Sequence, residues 1–315
     1  MEQASKQRLI KIWFTDMWHG FDQDNNMFTT SLARRFNIEI CNKPDFLIHS
    51  VYGKDYLKYD CCRICFTGDN TRPDFKHNDY NIGFDFTDDS RYLRWPIFLS
   101  YGIKVDVLTK PKDARTLLAG KTRFCTFVVS NKYAAERIQF FEKLRAYKEV
   151  ASGGGYLNNV EGPVKDKRSF LGEGKFTIAF ENSSYPGYTT EKIYEAFLSN
   201  TIPVYWGNPR IAEDFNPGAF INMHDFASVE EVINYIKFLD ENDEACLKIL
   251  EEPAFVENVV PDKFKDDVYY NFFEKIFATP VSKKPFASKM NDRFEYTDFK
   301  IRSIGAKIRN IRGNH

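Results

Sequence analysis

The chain has 315 residues, which at roughly 150 residues per domain predicts two domains. Apolar residues make up 43%, enough for packed cores, which excludes a disordered or fibrous protein. Lys plus Arg and Asp plus Glu each number 44, and a net charge of zero argues against a nucleic-acid binder, which needs a basic surface excess. Aromatic residues reach 16%, which suits a carbohydrate or nucleotide site as well as an ordinary core. No apolar run of about 18 residues is present to span a membrane. The first residues, MEQASKQRLIKIWF, hold no apolar signal core, so the chain reads as cytoplasmic. There the six cysteines (Cys41, Cys61, Cys62, Cys65, Cys125 and Cys246) are expected as reduced thiols.

In chain order, residues 9–14 read as a strand and 27–36 as a helix, with Phe28, Leu32 and Phe36 four apart. Residues 45–51, 63–67 and 80–84 read as strands. The polar stretch 108–122, with Pro111 and Gly120, reads as a linker. Next come a strand at 124–129, a helix at 134–147, a glycine loop at 152–155, a strand at 175–180 and a helix at 191–198. Strands at 201–206 and 219–223 come after these. Ser228 with Glu231 forms a capping box that opens a helix burying Val229, Val232, Ile233, Ile236 and Leu239. The fold class is therefore α/β, in two units, with ligands expected at strand carboxyl ends and in a cleft between the units. At the end, Ile301, Ile304, Ile308 and Ile311 fall at helical spacing among Lys300, Arg302, Lys307, Arg309 and Arg312. This basic amphipathic tail suits peripheral contact with an anionic inner-membrane surface or a helix docked on the body.

The richest segment is FTIAFENSSYPGYTTEKIYEAFLSNTIPVYW, residues 176–206, which reads as strand, loop, helix, strand. Its loop holds Asn182, Ser183, Ser184, Tyr188, Glu191 and Lys192 close to a helix start. Helix N-termini carry unpaired N–H groups and partial positive charge, so they receive phosphates. Lys192 in the first turn opposes the helix dipole, which suggests an anionic partner. Glu191 can accept from a sugar hydroxyl or stabilise developing positive charge. The bland alternative is a solvated loop with a routine helix start.

The run FEN…GY.TEKI..A…..IPVYWG, with DFNPGAFIN..DF after it, resembles the donor-binding signature of α-1,3/4-fucosyltransferases (glycosyltransferase family 10) in their bacterial form. CFTGDNTRPDF, IGFDF…DSRYLRWP, VVSN……R and SGGGY resemble other family segments in order, covering most of 45–250. The resemblance implies two Rossmann-like lobes of GT-B type with the active site in the cleft between them. It implies an acceptor-binding lobe at 1–120, a GDP-fucose-binding lobe at 121–280 and the tail at 281–315. The implied reaction moves L-fucose from GDP-β-L-fucose, with inversion, to the GlcNAc or Glc of an N-acetyllactosamine- or lactose-type acceptor, in the making of bacterial surface glycans. Arg137, Asn182, Tyr188, Glu191 and Lys192 fall on donor-binding positions, with Arg137 on the diphosphate. The leaving GDP gains negative charge, which Arg137, Lys192 and the helix N-terminus would stabilise, so no metal or cofactor is required. Glu191 would support the fucosyl cation, and Asp69 would be the general base for the acceptor hydroxyl. The family's TGEN segment has glutamate where this chain has Asp69, one methylene shorter, and Asp74 is the nearest rival. That change also keeps open a non-catalytic GDP-sugar- or glycan-binding protein, and a different GDP-sugar remains a third reading.

Other constellations read more weakly. Asp22 and Asp24 form a D-x-D triplet that suits a divalent cation, or a surface loop ahead of a helix. Cys61, Cys62 and Cys65 lack a second ligand pair for zinc. Trp18 and His19 follow the first strand and suit an acceptor sugar, or a core tryptophan beside a surface histidine. Trp95 and Trp206 read as structural.

Overall fold

A computed structural model describes residues 8–100, 104–280 and 286–312, and in the last stretch the side chains of 289–303. The chain divides into two compact units. One is Met1–Gly83, Thr87–Trp95 and Asp266–His315; the other is Phe84–Phe86 and Pro96–Lys265.

The first unit begins with β1 (Leu9–Thr15), α1 (Met27–Leu32), β2 (Asn37–Ile40), β3 (Phe46–His49), β4 (Cys62–Phe66), β5 (Tyr80–Gly83) and β6 (Tyr92–Arg94). The strands form one parallel sheet in the order β2-β1-β3-β4-β5-β6. Its central strand FLIH is buried throughout, as expected where both faces of a parallel sheet are covered. The helix expected at 27–36 stops at Leu32. Asn26 caps its start, and the chain beyond Ala33 turns so that Asn37–Ile40 can pair along β1. Phe36 serves a packing contact instead of the helix, with its ring 5.0 Å from that of Phe277.

The second unit comprises α2 (Ala114–Ala119), β7 (Arg123–Phe127), α3 (Ala135–Arg145), β8 (Val150–Ser152), α4 (Lys167–Gly172), β9 (Gly174–Phe180), α5 (Glu191–Leu198), β10 (Ile202–Trp206), β11 (Ile221–Asn222), α6 (Val229–Glu241) and α7 (Asp243–Glu251). Its parallel sheet runs β11-β10-β9-β7-β8. The stretch expected as a linker at 108–122 contains α2, capped by Asp113 through the Thr116 N–H at 3.1 Å. Just before it, Phe98 and Val105 pack with Ile193, Tyr194 and Phe197 on α5. The division at 120/121 is thus corrected to 95/96, because these apolar residues complete the second core.

The last helices correct the other expected boundary. Both α8 (Asp266–Ala278) and α9 (Phe286–Arg312) belong to the first unit. On α8, Phe277 meets Phe46 at 4.8 Å and Phe272 meets Tyr80 edge-on at 5.8 Å. Residues 266–280 therefore cover the first sheet rather than closing the second lobe. Nor is α9 a separate tail. Asp292 on α9 accepts from buried Arg63 Nη2 at 2.8 Å, and Lys289 pairs with Asp60 at 2.6 Å. Farther along, Ile301 is exposed and Lys300 lies 3.6 Å from Asp55. The side chains of Ile304, Lys307, Ile308, Arg309, Ile311 and Arg312 lie outside the described residues. Among the described residues, no helix is long and apolar enough to cross a membrane.

Arg63 is 1% exposed and its other donors reach the carbonyls of Leu57, Tyr59 and His77. Removing one member of a buried ion pair leaves an uncompensated charge. Asp292→Ala should therefore lower the unfolding free energy by about 3 kcal/mol in denaturant titration. A loss below about 0.5 kcal/mol would mean that the carbonyls alone satisfy Arg63.

Candidate functional site

In the second unit, the side chains of interest gather where β9 ends. Glu181 follows β9 directly and is fully buried. Its carboxylate accepts from the Thr190 N–H at 2.7 Å and the Thr190 hydroxyl at 2.6 Å, and lies 3.2 Å from Lys192 Nζ. Thr190 is the N-cap of α5, yet its side chain makes no capping bond to the helix. Glu181 thus fixes the helix start from below. Lys192 also donates to Thr190 Oγ1 at 2.8 Å and Glu191 Oε1 at 3.2 Å. Arg137, from α3, is 2% exposed and donates to Phe180 O at 3.3 Å and Asn182 Oδ1 at 2.6 Å, while its Nε has no hydrogen-bond partner among the described residues.

The loop between Glu181 and α5 is fastened to the end of β10. Asn208 Oδ1 accepts from the Gly187 N–H at 2.7 Å, its Nδ2 donates to Thr189 Oγ1 at 3.1 Å, and Ser184 Oγ donates to Gly207 O at 2.7 Å. Gly207 has φ +154, and a Cβ there would lie 2.4 Å from Glu181 Cγ, so only glycine lets β10 pass the carboxylate. Across the sheet, a Cβ on Gly154 of the glycine loop would lie 2.0 Å from Val129 O.

Two cations and two carboxylates share this space. Burial pulls the Lys192 ammonium down, but Glu181 and Glu191 overcome that and hold it above the usual lysine range. Burial pushes Glu181 up, and Lys192 only partly offsets the rise. For Glu191 burial also pushes up, while Lys192, its own N–H and Lys167 bring it below the usual value. Burial lowers Arg137, opposed by Glu181, Tyr188 and Glu191. The anion that Lys192 called for in the sequence is therefore present within the chain.

Of the expected donor residues, Arg137, Asn182, Glu191 and Lys192 come together here. Tyr188 is buried, with its ring 5.0 Å from that of Phe84. Sequence reasoning missed Glu181, Asn208 and the buried Tyr205, whose hydroxyl accepts from the Asn208 N–H at 3.0 Å. The signal available for Glu181 was a carboxylate placed directly after an apolar strand and eleven residues before a lysine in a helix's first turn.

In the first unit, Trp18 and His19 follow β1, Tyr52 follows β3 and Asp69 follows β4. All lie after the carboxyl ends of adjacent parallel strands. Asp69 is exposed. Its N–H donates to Thr67 Oγ1 at 3.1 Å, and its carboxylate accepts from the Tyr52 hydroxyl. Burial and then Asp69 push Tyr52 up to about 12, so the phenol stays protonated and donates. Asp74 is engaged elsewhere. It accepts from the Lys76 and His77 N–H groups and pairs with His77 Nδ1 at 2.6 Å. Trp18 is half-buried, edge-on to Phe21 at 5.0 Å, and His19 is exposed. Asp22 Oδ1 accepts from the Asp24 and Asn25 N–H groups, as a turn residue does. Among the described residues, no group of three or more His, Cys, Asp or Glu could hold a metal ion. Cys61 and Cys65 are buried, and Cys62 is half-buried.

Residues 12–101 match the family described as the FucT N-terminal domain of α-(1,3)-fucosyltransferase, and 118–251 match the C-terminal part of glycosyltransferase family 10 (fucosyltransferase). An α1,3-fucosyltransferase crystal structure is 30% identical and superposes at TM-score 0.73, over 88% of this chain and 92% of that one. The chain belongs to glycosyltransferase family 10. A structure of α1,3-fucosyltransferase with GDP-fucose aligns over 90% of this chain and 95% of that one, at 29% identity and TM-score 0.72. The α-(1,3)-fucosyltransferase FucT of Helicobacter pylori is 35% identical over 278 residues, 75% of this chain. This chain spans about half the length of the curated relatives it matches, 58% for the H. pylori protein. The two parallel α/β sheets agree with the GT-B fold expected for the family.

The raised Glu181 gives a signed pH prediction. Between the ordinary glutamate range and its folded value, the folded state keeps a proton that the unfolded chain releases, so rising pH removes stability. Glu181→Gln lacks this contribution. Its unfolding free energy relative to the unaltered protein should rise with pH across that window and level off above it. A difference that stays flat with pH in chemical denaturation would mean that Glu181 titrates normally.

Proposed function

We propose that this protein transfers L-fucose from GDP-β-L-fucose, with inversion, to a hydroxyl of a GlcNAc- or glucose-containing oligosaccharide. The observation that carries this reading is the clustering of Arg137, Asn182, Glu191 and Lys192 around the uncapped start of α5 in a family 10 chain. Helix-start N–H groups and two cations suit a diphosphate, and guanidinium matches phosphate oxygens in planar fashion. Tyr188 would help to hold the donor from beneath.

In the proposed reaction, the bond from fucose C1 to the β-phosphate oxygen breaks and the electron pair leaves with GDP. Arg137, Lys192 and the helix N–H groups stabilise the growing negative charge. Glu191, kept ionised by Lys192, faces the developing positive charge on the sugar. The acceptor oxygen bonds to C1 from the opposite side, and its proton passes to Asp69. The Tyr52 hydroxyl orients that carboxylate, which offsets the flexibility of an exposed, shorter side chain. Asp69 is favoured over Asp74 because His77 and two backbone N–H groups already occupy Asp74. Trp18 and His19 contribute to the acceptor side. The α-1,3 linkage, the N-acetyllactosamine- or lactose-type acceptor and a role in bacterial surface glycans rest on likeness to the α-(1,3) relatives.

The test is a transfer assay with GDP-fucose and N-acetyllactosamine, with and without EDTA. Fucosylated product unaffected by EDTA is expected. Asp69→Asn should cut turnover by about 10²–10⁴-fold while GDP binding survives. Tyr52→Phe should cut turnover about tenfold with the donor KM unchanged, since it loosens only the base. Product formation undiminished in Asp69→Asn would place the base elsewhere. GDP binding without any product would favour a binding protein on this scaffold, in keeping with a Lys192 already neutralised by two glutamates.

A further inference from the structure

A cavity lies in the second unit, at the amino ends of its strands. It measures about 730 Å³. Its walls come from Arg115 and Leu118 on α2, from Lys121 to Phe124 entering β7, from Lys148 before β8, from Lys175 on β9 and from α6 and α7. The proposed donor residues lie past the other end of the same sheet. Lys175 and Glu181 sit at opposite ends of β9, about 20 Å apart at ~3.3 Å per residue. The cavity is therefore separate from that site, and a ligand held in it would bind whether or not the protein transfers fucose.

Five cations line it (Arg115, Lys121, Arg123, Lys148 and Lys175) against three carboxylates, Asp240, Asp243 and Glu244. Asp240 serves two lysines, Lys148 at 2.8 Å and Lys175 at 3.4 Å, and Asp243 also pairs with Lys175 at 3.3 Å. Arg115 pairs with Glu244 at 3.1 Å and Arg123 with Glu173 at 2.6 Å. Lys121 differs. Its Nζ donates to two backbone carbonyls, Gly172 O at 2.8 Å and Asn200 O at 2.6 Å, and no carboxylate among the described residues pairs with it. Carbonyl dipoles orient an ammonium but leave its charge uncompensated. Leu118, Phe124 and Leu247 give the same cavity an apolar floor. A space of this size with charge excess at one part and apolar floor at another fits a small organic anion.

We propose that this cavity binds a small phosphorylated organic molecule, with the phosphate against Lys121 and the organic part over Leu118, Phe124 and Leu247. The ligand would supply the negative charge that Lys121 lacks. Burial pulls the Lys121 amine down to about 8, so part of it is neutral at mildly basic pH. An anion beside it favours the protonated form, so binding takes up a proton and should weaken as pH rises through about 8.

A neutral aldehyde reads both properties, because it reacts only with the free amine that a bound phosphate would hold as ammonium. Pyridoxal, which carries no phosphate, would be added to the full chain at pH 8. The amine condenses with the aldehyde, water leaves, and borohydride reduces the imine to a stable secondary amine. Peptide mass mapping then scores Lys121 by its own peptide. Phenyl phosphate, with an organic part beside its phosphate, should slow labelling of Lys121 at least tenfold, and more at pH 7 than at pH 9. Benzyl alcohol, which lacks the phosphate, should not protect it. Equal labelling with and without phenyl phosphate, equal protection by benzyl alcohol, or protection that does not weaken with rising pH would each overturn the proposal.

Discussion

A carboxylate with no exposure to water cannot stand alone, and in this protein that constraint falls on Glu181. Losing its hydration costs several kcal/mol unless hydrogen bonds and a cation replace the water. Thr190 and Lys192 supply them. The consequence is positional. Thr190 is drawn down to Glu181, and its side chain makes no capping bond to its own helix. Lys192 is held charged, and Glu191 beside it is held ionised. Glycine at 207 answers to the same carboxylate, since no side chain fits between β10 and Glu181.

The two ends of the second unit's sheet place lysines in opposite states, and geometry accounts for both. Lys192 and Lys121 are each removed from water, which disfavours the ammonium. Lys192 faces two carboxylates, and their attraction exceeds the burial penalty. Lys121 faces only carbonyl dipoles, and burial prevails. One end is thus a closed electrostatic set with no net charge, in which any bound anion must reorganise existing pairs. The other end holds a charge excess before any ligand arrives.

The first unit obeys a different logic. Its sheet is covered by aromatic rings from α8 and tied to α9 by the buried Arg63–Asp292 pair. That covering leaves the carboxyl strand ends to carry polar groups. Asp69 and Tyr52 meet there because β3 and β4 are neighbours in parallel, which brings the loops after them side by side.

Much of this was legible in the residues themselves. Apolar runs bounded by polar turns located β1, β3, β4, β5, β7, β9 and β10, and the amphipathic pattern of 191–198 located α5 with both its limits, because a short apolar run between turn residues marks a buried strand and a 3.6-residue period marks a half-buried helix. The motif after β9 marked Asn182, Glu191 and Lys192, since a helix start with a lysine in its first turn is a local anomaly. What the sequence could not settle was every assignment made by residues far apart in the chain. Arg63 finds Asp292 across 229 positions, and α8 returns to the first sheet although it comes after the second. The linker at 108–122 dissolved for the same reason, because Phe98 and Val105 acquire their meaning from α5, not from their neighbours. Glu181, too, reads as an ordinary strand-end glutamate until Thr190 and Lys192 are folded onto it. Periodicity is a property of adjacent residues, whereas charge compensation depends on distance in space, and that only the tertiary structure decides.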